Sequence, residues 1–396
     1  MLKRVFTEEQ TMFRQAYREF LNREIVPYME NWREKGVVDR KAFLKAGEQG
    51  FLMVWPDEEF GGIGDTDFRY EQIIIEENAW AMTLDWFQTL HSRLVGPYIH
   101  RFGNRDQQLR FIPKCVKGEI ILAIAMTEPG AGSDLRGMRA TAIDRGSYYL
   151  LNGSKTYISN GLNADVIIVA AKTDPINNPN SIGLFIVERG MEGLSRGACL
   201  KKLGFKAQDT TELFFDNIKV PKENVLGDPS KGMSYLMEGL AEERLIAGVK
   251  SLSMAQKAMD LTVSFVKERD VFGKKLSEFQ NTQFSLASLQ AEMESLQVYL
   301  DRCVIAHNEK NLTGVDAAKL KLLCSEFLGR VVDECLQLHG GAGYMDEYPI
   351  CRLYADARVT RIYAGTSEVM KMIISRDTLG RERANFIDRD LVVSDD

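Results

Sequence analysis

The hydrophobic pattern changes character twice along this chain, and that limits the folds open to it. Over residues 7–115 apolar positions recur at helical spacing, as in Phe13, Ala16, Tyr17 and Phe20. Thr7, followed by Glu8, Glu9 and Gln10, reads as a helix N-cap. Pro56 and the Gly61-Gly62-Ile63-Gly64 cluster interrupt with a loop, and helical texture resumes from Tyr70 through Ile73-Ile74-Ile75. Near residue 120, alternating or β-branched runs take over: Val166-Ile167-Ile168-Val169-Ala170, Gly183-Leu184-Phe185-Ile186-Val187 and Glu212-Leu213-Phe214-Phe215. Turn signals at Asn152-Gly153, Asn160-Gly161 and Asp174-Pro175 separate strands of a small antiparallel domain ending near Val225. From Met233 the helical period returns. Leu245, Val249, Leu252, Met259 and Val266 keep one face, and Leu289, Met293, Leu296 and Leu300 keep another. Turns at Gly273 and Leu312-Thr313-Gly314 then give the long antiparallel segments of a bundle. The expected class is α+β in three domains: 1–120 helical, 121–228 antiparallel β, and 229–396 a four-helix bundle.

Composition narrows the function classes. Of 396 residues, 45% are hydrophobic and 27% charged, the balance of a soluble globular chain. A net charge of −6 without a Lys/Arg-rich block argues against nucleic acid and anionic membrane surfaces. The six cysteines show no CxxC spacing and read as reduced, mostly buried thiols. Four scattered histidines argue against a metal site. No apolar run reaches the length of a membrane span. The start, Met1 to Glu9, turns acidic at once and reads as neither a signal nor a transit peptide. The expectation is therefore a bacterial cytoplasm, with a mitochondrial matrix form the alternative.

The most specific chemical signal is Ile124-Ala125-Met126-Thr127-Glu128-Pro129-Gly130-Ala131-Gly132-Ser133-Asp134. An apolar run stops at a polar, Gly-containing loop, where backbone N–H groups can form an anion-binding nest. Alone it is equally an ordinary strand-end turn. No GxGxxG follows a strand, so a Rossmann fold is not supported. Four further segments carry polar or aromatic groups in order: Lys155-Thr156-Tyr157-Ile158-Ser159-Asn160-Gly161, Arg269-Asp270-Val271-Phe272-Gly273-Lys274, Gln337-Leu338-His339-Gly340-Gly341 and Ile362-Tyr363-Ala364-Gly365-Thr366-Ser367-Glu368.

With the loop, these segments and the α–β–α order resemble the acyl-CoA dehydrogenases from about Phe6 to Thr378, closest to the long-chain and isovaleryl branches. The resemblance implies FAD held between the β domain and the bundle, with help from a neighbouring subunit of a homotetramer. It implies that Ala125, Met126, Thr127, Gly132 and Ser133 meet the flavin. Thr127 would bond the isoalloxazine edge, and Ser133 would lie at the pyrophosphate and near the thioester. Tyr157 would stack on the ring where many relatives have Trp, beside Ile158 and Ser159, which would reach the N5/O4 edge. Arg269, with a fork suited to a diphosphate, and Gln280 would bind the FAD of the other subunit, and Phe272 would also contact FAD. Gln337, Gly340 and Gly341 would close over the adenosine half, and Thr366 and Glu368 would contact FAD. Three readings without a ligand stay open. Tyr157 can be a sheet aromatic packed on its neighbours, Arg269 a surface ion pair with Glu268 or Asp270, and Gly340-Gly341 a helix C-cap.

The chemistry needs a carboxylate base, because the α-proton of a thioester must leave as hydride departs the β-carbon. Many relatives carry it just before the Gly-Thr of the last segment, where this chain has Ala364. The long-chain and isovaleryl branches place it before an Arg on the helix that opens the bundle. Leu240-Ala241-Glu242-Glu243-Arg244 matches, so Glu243 is the expected base and Ala364 leaves room for it. Glu242 is expected to point about 100° away, out of the same pocket. The competing reading makes both acids solvated residues at a helix start. By resemblance, the Ala364 N–H and a ribityl hydroxyl polarise the thioester carbonyl, by oxyanion-hole logic. Ser133, Arg244, Ala364 and Gly365 would touch substrate.

The expected function is FAD-dependent conversion of medium-to-long acyl-CoA to trans-2-enoyl-CoA, with electrons passed to an electron-transfer flavoprotein. A flavin monooxygenase or oxidase on the same fold is the alternative. A non-catalytic acyl-CoA- or acyl-carrier-binding scaffold is the third.

Overall fold

The computed structural model describes Arg4 and residues 6–380. The outer parts of the 1–120 and 229–396 spans (residues 1–3, 5 and 381–396) lie outside the described residues.

Six helices come first: α1 (Glu8–Phe20), α2 (Met29–Lys35), α3 (Arg40–Glu48), α4 (Arg69–Trp80), α5 (Gly96–Phe102) and α6 (Arg105–Val116). Thr7 caps α1 as expected: its hydroxyl accepts from the Gln10 N–H at 3.1 Å, and the Gln10 side chain accepts from the Thr7 N–H at 3.1 Å. Phe13, Tyr17 and Phe20 then pack edge and face against Phe51. Ile73, Ile74 and Ile75 are all buried, because α4 is enclosed on every side.

The sheet holds β1 (Leu122–Ala125), β2 (Thr141–Asp144), β3 (Tyr148–Ser159), β4 (Val166–Asp174), β5 (Asn178–Glu188), β6 (Leu194–Arg196), β7 (Thr210–Pro221) and β8 (Val225–Leu226). Its order is β6-β7-β3-β2-β4-β5-β8, with β1 also beside β4. It is not wholly antiparallel, as the sequence pattern suggested. β1 runs parallel to β4, Leu122 opposite Val166, and β2 meets β4 in parallel at Thr141 and Lys172. The cause is connectivity. β1 passes into β2 without reversing, and the chain then reverses twice, into β3 and into β4. Asn152-Gly153 is likewise no turn but a bulge inside β3. Gly153 has φ 138°, and a Cβ there would sit 2.7 Å from Ala140, so the bulge needs glycine. β4 and β5 are buried on both faces, one facing the N-terminal helices and the other a sheet core of Ile167, Val169, Phe185 and Val187.

Helix α7 (Gly232–Glu268) opens the bundle. A small ribbon, β9 (Asp270–Val271) and β10 (Lys274–Lys275), turns the chain at Gly273. Then follow α8 (Gln280–Asn308), α9 (Gly314–His339), α10 (Pro349–Ala357) and α11 (Ser367–Leu379). Apart from Val266, which is buried outside it, the Leu, Val and Met stripes read from the sequence form one bundle core. The six cysteines are unpaired, four of them buried. Among the described residues no helix is long and apolar enough to cross a membrane.

Candidate active site

The loop after β1 is held from below. Lys155, wholly buried on β3, donates to the Met126 carbonyl at 2.9 Å and to the Glu128 carboxylate at 2.8 Å. Glu128 also accepts the N–H of Arg139 at 2.6 Å and of Ala140 at 3.0 Å. Burial is the largest influence on Glu128 and opposes its charge. Lys155 and the two N–H donors outweigh it and hold the carboxyl below its ordinary range. The Thr127 carbonyl accepts the Thr156 N–H at 3.0 Å, so loop and strand move as one piece. Ala125 turns its side chain into the sheet core, while Met126 and Thr127 are half-buried and Ser133 is exposed. A Cβ on Gly130 or Gly132 would meet nothing within 4 Å. These glycines leave an open backbone face rather than relieve a clash.

On β3 a second bulge follows Lys155. Tyr157 there has φ 59° and is 69% exposed, so its ring is not packed among sheet neighbours. Ile158 is buried and Ser159 half-buried. A left-handed aromatic costs on the order of 1–2 kcal/mol, and such strain concentrates at functional sites. Beneath, His91 ties β1 in place. Its Nδ1 accepts the Leu122 N–H at 3.2 Å, and its Nε2 donates to the Cys115 carbonyl at 3.0 Å. That arrangement needs the neutral ring, and burial pushes its pKa down to about 4.

Glu242 and Glu243 lie about three turns inside α7, not at its start. Both line one small cavity of about 40 Å³, walled by Leu94, Tyr98, Phe102, Ile124 and Met126 among others. The expectation that Glu242 faces elsewhere is therefore corrected, because Gly239, Glu242 and Glu243 of α7 all border this cavity. The segment Leu90–Val95, wound as a π-helix ahead of α5, supplies Arg93 to that wall. Arg93 and Arg101 pair with Glu242 at 2.5 and 2.8 Å, and His307 stands 4.0 Å away. Burial alone would raise Glu242, but Arg93, His307 and Arg101 together bring it below the usual value. Glu243 differs. It is half-buried and lines the cavity, and it makes no direct hydrogen bond or ion pair among the described residues. Burial raises its pKa against the opposing pull of Arg244 and Lys321. Arg244 is buried and donates to the Gly314 carbonyl at 3.4 Å.

Ala364 and Gly365 are successive left-handed residues, φ 54° and 87°. Lys321, wholly buried on α9, donates to the Gly365 carbonyl at 2.7 Å. Thr366 caps α11 by accepting the Val369 N–H at 3.3 Å, and Glu368 is exposed in its first turn.

The remaining expected contacts do not line the Glu243 cavity. Arg269, Phe272 and Gln280 are exposed around the β9–β10 ribbon, Phe272 at 95%. Asp270 pairs with Lys275 at 2.9 Å, not with Arg269. Gln337, Gly340 and Gly341 are exposed at the end of α9, where Gly340 has φ 59° and the N–H of Gly340 returns to the Gln337 carbonyl. Sequence reasoning passed over Lys155, Glu128, Arg93, Arg101 and Lys321. Glu128 and Lys155 were visible only as members of two short segments. Nothing local pointed to the others.

Three family models match in order: "Acyl-CoA dehydrogenase, N-terminal domain" over residues 7–119, the middle domain over 123–218 and the C-terminal domain over 230–379. The long-chain specific acyl-CoA dehydrogenase of Sus scrofa mitochondria is 42% identical over 378 residues, 95% of this chain and 88% of that protein. The crystal structure of an acyl-CoA dehydrogenase from Geobacillus kaustophilus superposes with a TM-score of 0.92 at 45% identity, covering 94% of this chain and 99% of that one. A glutaryl-CoA dehydrogenase from Mycobacterium smegmatis, solved in complex with FADH2, superposes at 0.88 with 26% identity, covering 96% of each chain.

Proposed function

This chain belongs to the acyl-CoA dehydrogenase family, and from that premise we propose FAD-dependent oxidation of medium-to-long acyl-CoA thioesters to trans-2-enoyl-CoA, with Glu243 as the α-proton base. The observation that carries the proposal is the contrast between two neighbouring acids. Glu242 is neutralised by Arg93 and Arg101, whereas Glu243 faces the cavity unbonded with its proton affinity raised. A carboxylate drawn toward neutral pH in a shielded site is a better base.

The residues present fit a flavin. Gly130 and Gly132 leave an uncovered backbone cradle, and Tyr157 offers an exposed aromatic face on the adjoining strand. Residues 125–127, 132–133 and 157–159, with Thr366 and Glu368, would hold it from one chain. Arg269, Phe272, Gln280, Gln337, Gly340 and Gly341 would hold the FAD of a second copy, as in a homotetramer. Bound FAD supplies the hydride acceptor.

The chain's own groups do the rest. The N–H of Ala364, in a turn that Lys321 anchors through Gly365, serves as a fixed donor to the thioester carbonyl. Polarising that carbonyl acidifies the α-C–H, and Glu243 takes the proton. Apolar walls from Leu94, Phe102, Ile124 and Met126 keep water from the carboxylate and receive the chain. Ser133 and Arg244 lie toward substrate in this reading. The electrons pass to an electron-transfer flavoprotein, in a bacterial cytoplasm.

Anaerobic mixing with palmitoyl-CoA, followed in the visible spectrum, tests this. Rapid loss of the oxidised-flavin band in the wild type, and its persistence in Glu243→Gln, is the expected result. Bleaching of Glu243→Gln at the wild-type rate would remove Glu243 from the mechanism.

A further inference from the structure

Lys321 has no part in the chemistry described so far beyond anchoring a turn, yet its surroundings link both halves of the site. It rises from the middle of α9 with no solvent exposure, and a buried ammonium requires compensation. The hydrogen bond it makes goes to the Gly365 carbonyl at 2.7 Å. The charged groups around it come from three elements: Glu326 on α9 itself, Glu243 and Arg244 on α7, and Glu368 at the start of α11. Glu326 is itself engaged, accepting from Ser367 at 2.5 Å and facing Arg361 at 3.4 Å. Around Glu243 the other charges are already balanced, since Glu242 is paired with Arg93 and Arg101. Tyr98 and Tyr363 stand near Glu243 as neutral rings, their hydroxyls pushed up by burial. Arg244 and Lys321 are thus the cations that favour the ionised Glu243 carboxyl.

The clamp acts where the backbone is least content. Ala364 at φ 54° holds a conformation that non-glycine residues keep only when their surroundings over-determine it. The Gly365 carbonyl belongs to the Gly365–Thr366 peptide, so the bond from Lys321 pins the far end of the two-residue left-handed turn whose first residue carries the N–H proposed to meet the thioester. We propose that Lys321 is a positioning residue: by bonding the Gly365 carbonyl it holds the turn that presents the Ala364 N–H to the thioester. This rests on the reading of Glu243 as base. The Lys321 cation, itself pulled down to about 8 by burial, also opposes the burial of Glu243, so its loss raises the proton affinity of that carboxyl.

The test compares Lys321→Met and Lys321→Arg in the holoenzyme with the wild type. Flavin reduction by acyl-CoA is followed against pH. The protonated Glu243 carboxyl, identified by its loss in Glu243→Gln, is titrated in the infrared without substrate. In Lys321→Met the reduction rate should fall roughly 10- to 100-fold, as expected for a lost charged hydrogen bond. Both midpoints should rise. Lys321→Arg should restore the midpoints, since it keeps the charge. If Lys321→Met does not fold, Lys321→Gln, which keeps a donor for Gly365 and loses the charge, is titrated in its place. An unchanged reduction rate and unmoved midpoints alongside a lower melting temperature would reduce Lys321 to a structural residue and overturn the proposal. A wild type that acyl-CoA does not bleach, or a Glu243→Gln that it does, would instead overturn the assignment of Glu243 and Lys321 with it.

Discussion

Replacing Lys155 by Met should loosen the loop that carries Thr127 and Ser133. The Lys155 ammonium is wholly buried and makes two bonds, to the Met126 carbonyl and the Glu128 carboxylate. Met has a similar length and keeps the packing, so the change is chiefly electrostatic. It leaves Glu128, 7% exposed, as a buried charge with only the N–H groups of Arg139 and Ala140. Removing one partner of a buried pair costs about 3–5 kcal/mol. With two donors remaining, the lower end, about 3 kcal/mol, is the figure to expect. That corresponds to a drop of roughly 5–10 °C in melting temperature for a large domain. Scanning fluorimetry of the apoprotein measures it, and equilibrium dialysis measures FAD retention on the same samples. The double variant Lys155→Met/Glu128→Gln should recover more than half of the loss, because it also removes the stranded charge. A single variant that melts with the wild type, or a double variant no better than the single, would refute the view that this pair secures the loop.

Two other outcomes can be checked on the same footing. His91 is neutral in the fold with a pKa near 4 against 6.5 when free, so the unfolded chain binds the extra proton between those values. Its contribution of about 3 kcal/mol is present above pH 6.5 and lost as pH falls toward 4. Melting temperatures from pH 7 to 4 should therefore fall more steeply in the wild type than in His91→Gln, and parallel curves would count against it. Tyr157→Gly should leave apoprotein stability nearly unchanged, because relief of the φ 59° strain offsets the entropy of glycine, each about 1 kcal/mol. FAD affinity should nevertheless weaken, as titration of the apoprotein would show, and a large loss of stability would mean the ring packs after all.

What this chain's sequence determines by itself is local. The α–β–α order follows from hydrophobic period, the Thr7 cap from a side chain that reaches only three residues, and the loop at 124–134 from glycines that leave backbone uncovered. The placement of Glu243 before Arg244 was legible by resemblance. The contrast between paired Glu242 and unpaired Glu243 was not. Arg93 and Arg101 reach Glu242 across about 140–150 residues, and Lys321 reaches Gly365 from another helix. Such contacts depend on how helices cross, and no period or motif records that. The same holds for Asn152-Gly153, a good turn locally but a bulge once β7 pairs along β3, and for β1, whose parallel partner is set by where the chain returns. Local propensity specifies elements, each worth fractions of a kcal/mol per residue. The tertiary structure decides which charges are buried together, and the Arg93 and Arg101 partners of Glu242 are what separate two adjacent glutamates into a held ion pair and an unpaired carboxyl.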